Sequence, residues 1–281
     1  MARIPGRHFL RNLIERRALV AQLVRRDFEQ RYVGSAAGWL WGIVHPLVML
    51  ASWVFVFQIC LKIPLPEGVR NYPVFLFAGF LPWMLFQETV TRSAGSLVEH
   101  ANLITRTVFP SEVVPVSIFL SSLIHHLIGV ALAAVAVAAV TMRADHGWVF
   151  RNLNPSGVAL GIALLPVYML AVGLLAVGVG WIVSSLHVYL RDTGQVLTVG
   201  MTLWFWLTPI MITEQQIPQR FHLLVAWNPM AWVVRAYRDR LLSSAWPHWH
   251  DLAILAAYSA AVFIAGGLFF RHLKRGFADV L

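Results

Sequence analysis

The chain has 281 residues, of which 58% are apolar and only 12% charged, and its formal net charge is +9. Apolar runs of about 18 residues or more recur along it, each long enough to cross a ~30 Å hydrocarbon core, which excludes an ordinary soluble domain. The basic excess reads as charge that sets topology and meets anionic headgroups. It does not read as a nucleic-acid surface, because no basic, aromatic-interleaved soluble module is present to hold one.

The first segment, residues 9–33, carries Leu10, Leu13, Ile14, Ala21, Val24 and Phe28 at helical spacing, with Arg11, Glu15, Gln22, Arg26 and Glu29 on the opposite face. That pattern predicts an amphipathic helix lying in the membrane interface. Gly34, Ser35 and Gly38 then let the chain turn. No cleavable signal peptide is expected, since no uninterrupted apolar region follows the basic start within the first 35 residues. The single cysteine, Cys60, cannot form an intrachain disulfide.

Six spans are predicted, at about 39–61, 73–98, 113–140, 157–186, 196–212 and 252–270. Trp39 and Trp41 stand at the entrance of the first, where indole rings favour the headgroup level, and Pro46 removes a backbone donor and predicts a kink. The second span turns polar beyond Phe86, and Glu88 and Arg92 are four apart and able to pair on one face. The third, at 28 residues or about 42 Å, must tilt or protrude, and its middle carries His125 and His126. The fourth is rich in glycine, which lets neighbouring helices approach closely. Between spans five and six, Asn228-Pro229 predicts an N-cap and first helical residue, within a re-entrant or interface-bound helix pair over 214–250.

Fourteen Lys and Arg fall on the side of the termini and eight on the other, which places both termini in the cytoplasm. The fold class expected is therefore an all-α integral membrane protein with six transmembrane helices, preceded by an amphipathic interfacial helix. No internal repeat is evident, which argues against an inverted-repeat transporter.

The chemistry is sparse. The two lysines, Lys62 and Lys274, each follow a leucine, so no phosphate-binding loop of the Walker type can form. Nucleophile-elbow and zinc-protease patterns are missing as well. Neighbouring histidines on a helix point about 100° apart and chelate poorly, so one of the pair is expected to bond between helices and the other to line a cavity. The aromatic groups Phe80, Trp83, Phe86 and then Trp204, Trp206 serve either as packing and interface anchors or as faces on which sugars stack. A six-span protein without its own chemistry fits a transport subunit powered from elsewhere.

The stretch RRDFEQRYVGSAAGWLWGIVHPLVML (25–50) resembles the start of bacterial polysaccharide ABC exporter permeases, the type-2 group that exports O-antigen, capsule and teichoic acid chains. WLTPIMI (206–212), WNPMAWVVRAYRDRLL (227–242) and FRHLKRGFADVL (270–281) are similar to later parts of the same pattern, in the same order. The resemblance covers essentially the whole chain. It implies a homodimer in the bacterial inner membrane, joined to two copies of a separate ATP-binding subunit that holds ATP and Mg²⁺, with no cofactor on this chain. It further implies that connector 99–112, with Glu99, Asn102, Arg106 and Glu112, seats in the ATPase, and that Arg191 and Asp192 make a secondary contact. The implied substrate is an undecaprenyl-diphosphate-linked glycan. Arg25, Arg26 and Arg31 are the candidates for its diphosphate, or else for ordinary anionic lipid and the ATPase. A type-2 permease for a drug or small lipid shares the plan, and an intramembrane transferase is disfavoured because it lacks a nucleophile or metal set.

Overall fold

The computed structural model describes residues 16–31, 33–62, 71–106, 109–143, 155–242 and 248–281. The expected helical turns at 9–15, most of the loops at 62–72 and 141–155, and residues 243–247 of the inter-span segment lie outside the described residues.

An amphipathic helix, α1 (Arg17–Gln30), turns its apolar side towards the third long helix and buries Val20. The chain leaves it through Gly34 (φ +79°) and Gly38 (φ +52°), left-handed conformations that cost glycine little. It enters α2 (Trp41–Trp53), which widens into a π-helical stretch, Val54–Cys60. Pro46 is the one buried residue of that whole stretch, so the first apolar helix stands largely outside the packed body.

The centre of the molecule is α3 (Tyr72–Glu99), started by Asn71, whose side chain accepts from the Val74 N–H at 3.1 Å. It packs against α5 (Val113–Arg143), α6 (Pro155–Tyr189) and α9 (Pro229–Leu242), with short α4 (Ala101–Arg106) between α3 and α5. Helix α6 packs most extensively on α10 (Trp249–Leu273). There Gly178 and Gly266 meet backbone to backbone: a Cβ on Gly266 would lie 2.1 Å from the Gly178 carbonyl oxygen. Small side chains let these two helices touch where larger ones would hold them apart.

Among the described residues the fold is all-helical, and five helices are long and apolar enough to cross a membrane: 41–60, 72–99, 113–138, 163–189 and 249–276. The expected fifth span differs. Helix α7 (Thr193–Leu207) has 15 residues, about 22 Å, and stops before 208–212. Proline is the reason: Pro209 has no N–H and pushes the residue before it out of the helical region, and Thr208 is extended (φ −95°, ψ 131°). Beyond it come two single 3-10 turns, α8 (His222–Ala226) and α9. One face of α9, with Met230, Val233, Val234 and Tyr237, is completely buried. That face is part of the packed core.

Candidate functional site

Three places among the described helices bring together the polar and aromatic residues of interest. The first lies where α1 crosses α3 and α5. Arg92 of α3 reaches across to Asp27 of α1 and forks onto both carboxylate oxygens, at 2.5 and 3.1 Å. Arg31, just past α1, pairs with Glu88, lies 3.6 Å from Asp27 and donates to the Ser122 hydroxyl at 3.1 Å. The expected Glu88–Arg92 pair is the loosest contact of the set, at 4.0 Å. The two side chains share a helix face, as their spacing requires, but each has a closer partner: Asp27 of α1 for Arg92, and Arg31, just past α1, for Glu88. Burial by itself would raise the pKa of Asp27. The hydrogen bonds and charge of Arg92, with the charge of Arg31, outweigh it and hold the carboxyl below the usual range.

Beneath this network lies a cavity of about 240 Å³, reached by Arg31, Glu88, His45, Ser122 and both histidines of α5. The expected division between the histidines is not seen: both line the cavity and each bonds to another element. The His126 Nε2 is 2.9 Å from the Tyr237 hydroxyl of α9, while His125 stacks on Phe28 and faces the Arg31 guanidinium at 3.1 Å. Among the described residues, no group of three or more His, Cys, Asp or Glu is placed to hold a metal ion.

Of the three candidate arginines, only Arg31 turns inward. Arg26 is exposed, and Arg25 is exposed while bonding Glu29 one turn on, at 2.8 Å.

The second place is aromatic. Phe80, Trp83 and Phe86 of α3 meet Trp204 and Phe205 of α7, with ring centres 5.0 Å apart for Phe86–Trp204 and 6.3 Å for Trp83–Trp204. Trp83 and Phe86 have no exposed surface in the single chain, whereas Trp206 is 60% exposed. Asn228 anchors the group: its Oδ1 accepts from the Trp204 indole at 2.9 Å and from the Met230 N–H at 3.0 Å, and its Nδ2 donates to the Thr208 hydroxyl at 3.0 Å. One side chain thus starts α9, as the Asn-Pro pair predicts, and also ties down the end of α7. Arg238 does similar work one helical turn beyond Val234. Its guanidinium sits 3.7 Å over the Phe75 ring and donates to the carbonyls of Phe75, Pro209 and Ile210, in the space left by Gly79.

The outer face of α7 is divided lengthwise. Gln195, Thr198, Thr202 and Trp206 recur at helical spacing and are exposed, and beside them runs a second exposed stripe, Val196, Val199, Leu203 and Leu207. Thr198 and Thr202 donate to the carbonyls four residues back, at 2.9 Å each, which leaves their oxygens free to accept.

The third place is the connector beyond α3. Glu99, Asn102 and Arg106 are exposed, and so are Arg191 and Asp192 between α6 and α7. Glu112 is different: it is buried and forms an ion pair with Lys274. Asp27, Asn228 and Arg238 were not singled out as site residues by sequence reasoning. Asn228 carried a signal as a cap; the other two are defined by partners more than 60 and 160 residues away.

The family model described as ABC-2 type transporter matches residues 18–242. The O-antigen export system permease protein RfbA of Klebsiella pneumoniae is 28% identical over 94% of this chain and 95% of its own length. A protein of the same name from Myxococcus xanthus is 26% identical over 96% and 98%. The polysialic acid transport protein KpsM of Escherichia coli is 24% identical over 90% and 92%.

Proposed function

We propose, from the premise that this chain belongs to the ABC-2 type transporter family, that it is the membrane-spanning subunit of an ATP-driven polysaccharide exporter. The observation that carries the reading is the divided face of α7. A helix facing only lipid has no use for an exposed stripe of Gln195, Thr198, Thr202 and Trp206, because polar groups gain little there. A pathway for a polar polymer has a use for it. Neutral hydroxyl and amide groups replace water one bond at a time, and an indole face offers stacking without gripping any single sugar.

One copy leaves that stripe, and nearly all of α2, uncovered. A second copy facing the first would enclose a channel between two such stripes, with the Val196–Leu207 stripe against lipid or the partner helix. The six crossings would then be α2, α3, α5, α6, α7 and α10. Helix α1 would lie in the inner leaflet of the bacterial inner membrane, and both termini in the cytoplasm. The exposed Arg25 and Arg26 suit the diphosphate of an undecaprenyl-linked glycan, while Arg31 holds the collar together through Glu88. Energy would come from a separate ATP-binding subunit seated on Glu99, Asn102 and Arg106, with Arg191 and Asp192 beside it.

The test is reconstitution of the chain with a cognate ATP-binding subunit. Lipid-linked glycan is expected to stimulate ATP hydrolysis. Trp206→Ala should weaken that stimulation by about two- to tenfold, the worth of one aromatic stacking contact, while Val199→Ala leaves it unchanged. An assembled complex indifferent to glycan would sink the polysaccharide reading.

A further inference from the structure

The last eight residues, KRGFADVL, follow α10 and take no part in the pathway just described. After α10 ends at Leu273, the chain continues through one 3-10 turn, Lys274–Gly276, into α11 (Phe277–Val280). Phe277 is 1% exposed, its ring centre 5.4 Å from that of Phe270 and 6.2 Å from that of Tyr189. The Tyr189 hydroxyl donates to the Leu273 carbonyl at 3.0 Å. Its oxygen lies so close to Gly276 that a Cβ there would approach within 2.6 Å.

The same short tail reaches the other connector. Lys274 forms its ion pair with Glu112, whose backbone carbonyl accepts the Trp181 indole N–H at 3.0 Å. Helix α11 lies against α4 and against the end of α6, and Ile104 of α4 packs on the apolar cluster that contains Phe277. This eight-residue tail therefore touches both polar connectors, the one carrying α4 and the one that begins at Tyr189. Its root is continuous with α10.

We propose that Lys274, Gly276 and Phe277 are positioning residues: the tail is a brace that makes the two connectors and the end of α10 move as one body. A push on the exposed top of α4, at Asn102, Leu103 or Arg106, would otherwise be absorbed by a six-residue helix joined to α3 through the single turn residue His100. With the brace in place, the load passes to α6 and α10, which are locked together by the Gly178–Gly266 contact. The importance of this for transport rests on the proposed seating of an ATP-binding subunit on α4; the mechanical coupling itself does not.

Hydrogen exchange on the full chain in lipid nanodiscs tests the brace without any ATPase. Lys274→Gln and Phe277→Ala are each expected to speed exchange about tenfold in peptides covering 101–106 and 187–193, with those in α3 unchanged. Exchanging the charges, Lys274→Glu with Glu112→Lys, should restore protection. Wild-type exchange at 101–106 in both single variants would overturn the brace. Equal acceleration in α3 would overturn it too, since that is global loosening. In complex with the ATP-binding subunit, Lys274→Gln should keep co-purification and ATP turnover but export several-fold less glycan per ATP. Failure of the wild-type chain to retain any ATP-binding subunit would count against the proposed function alone, because the exchange result judges the brace separately.

Discussion

At the scale of single residues, Asp27 decides whether α1 is a docked element or a loose amphipathic arm. Its carboxylate accepts two hydrogen bonds from Arg92, and the pair is only partly exposed, 21% for Asp27 and 32% for Arg92. A charge-assisted bond of this kind contributes about 1–2 kcal/mol, toward the low end because water still reaches both groups. The pKa of Asp27 is lowered on docking, so its stabilisation is fully present above the unfolded carboxylate value, near 4, and is lost as pH falls through the lower docked value. A spin label at exposed Gln22 reads this directly. At neutral pH, Asp27→Asn should raise its mobility over that of the unmutated background. On acidification below about pH 4 the two should converge, because protonation removes the same charge. A background that stayed immobile through that window, or a variant that matched it at neutral pH, would show that α1 is held by its apolar face alone.

At the scale of elements, the apolar runs made most helices legible, since 20 consecutive apolar residues leave few alternatives to a spanning helix. The start of α9 was legible in Asn228-Pro229 and the turn after α1 in its glycines. The end of α7 was also written in the chain, at Thr208-Pro209, but hydropathy continues through Ile210, Met211 and Ile212 and hides it. What could not be read was the choice of partner. Glu88 and Arg92 are neighbours by spacing, yet Arg92 is engaged by Asp27 of α1 and Glu88 by Arg31 just beyond it, and Phe80, Trp83 and Phe86 of α3 are buried within the single chain, against α7. Such choices depend on which helices meet, and local pattern does not carry that. Asn228 is where element order becomes tertiary structure, and its removal tests this. Asn228→Ala strips the cap of α9 and leaves the Trp204 indole N–H without its partner, an expected loss of about 2–3 kcal/mol. Asn228→Asp keeps the acceptor and loses the donations to the Thr208 hydroxyl and the Leu207 carbonyl. In thermal unfolding in detergent, Tm should fall clearly for Asn228→Ala and less for Asn228→Asp. Equal losses would mean that the donations from the amide nitrogen, and not the shared oxygen, join α7 to α9.

At the scale of the whole molecule, the core formed by α3, α5, α6, α9 and α10 is densely packed, while α2 and the outer face of α7 are not covered by the chain itself. The two stripes of that face make opposite demands on their surroundings. Leu203 gains from lipid or a packed helix, whereas Thr202 and Gln195 gain only from water, sugar or another polar group. The residues are adjacent in sequence and project about 100° apart, so a comparison between them controls for depth in the membrane. Cysteines placed singly at Gln195, Thr202 and Trp206, in a Cys60→Ser background, should react with a water-soluble maleimide. Cysteines at Val199 and Leu203 should react at least tenfold more slowly. Bound lipid-linked glycan should protect Thr202→Cys and leave Val199→Cys as it was. Uniform reactivity around the helix would mean that α7 is simply water-exposed, and uniform protection would mean that both stripes face lipid. Either result removes the channel from this face, and with it the reason for a second copy to stand opposite.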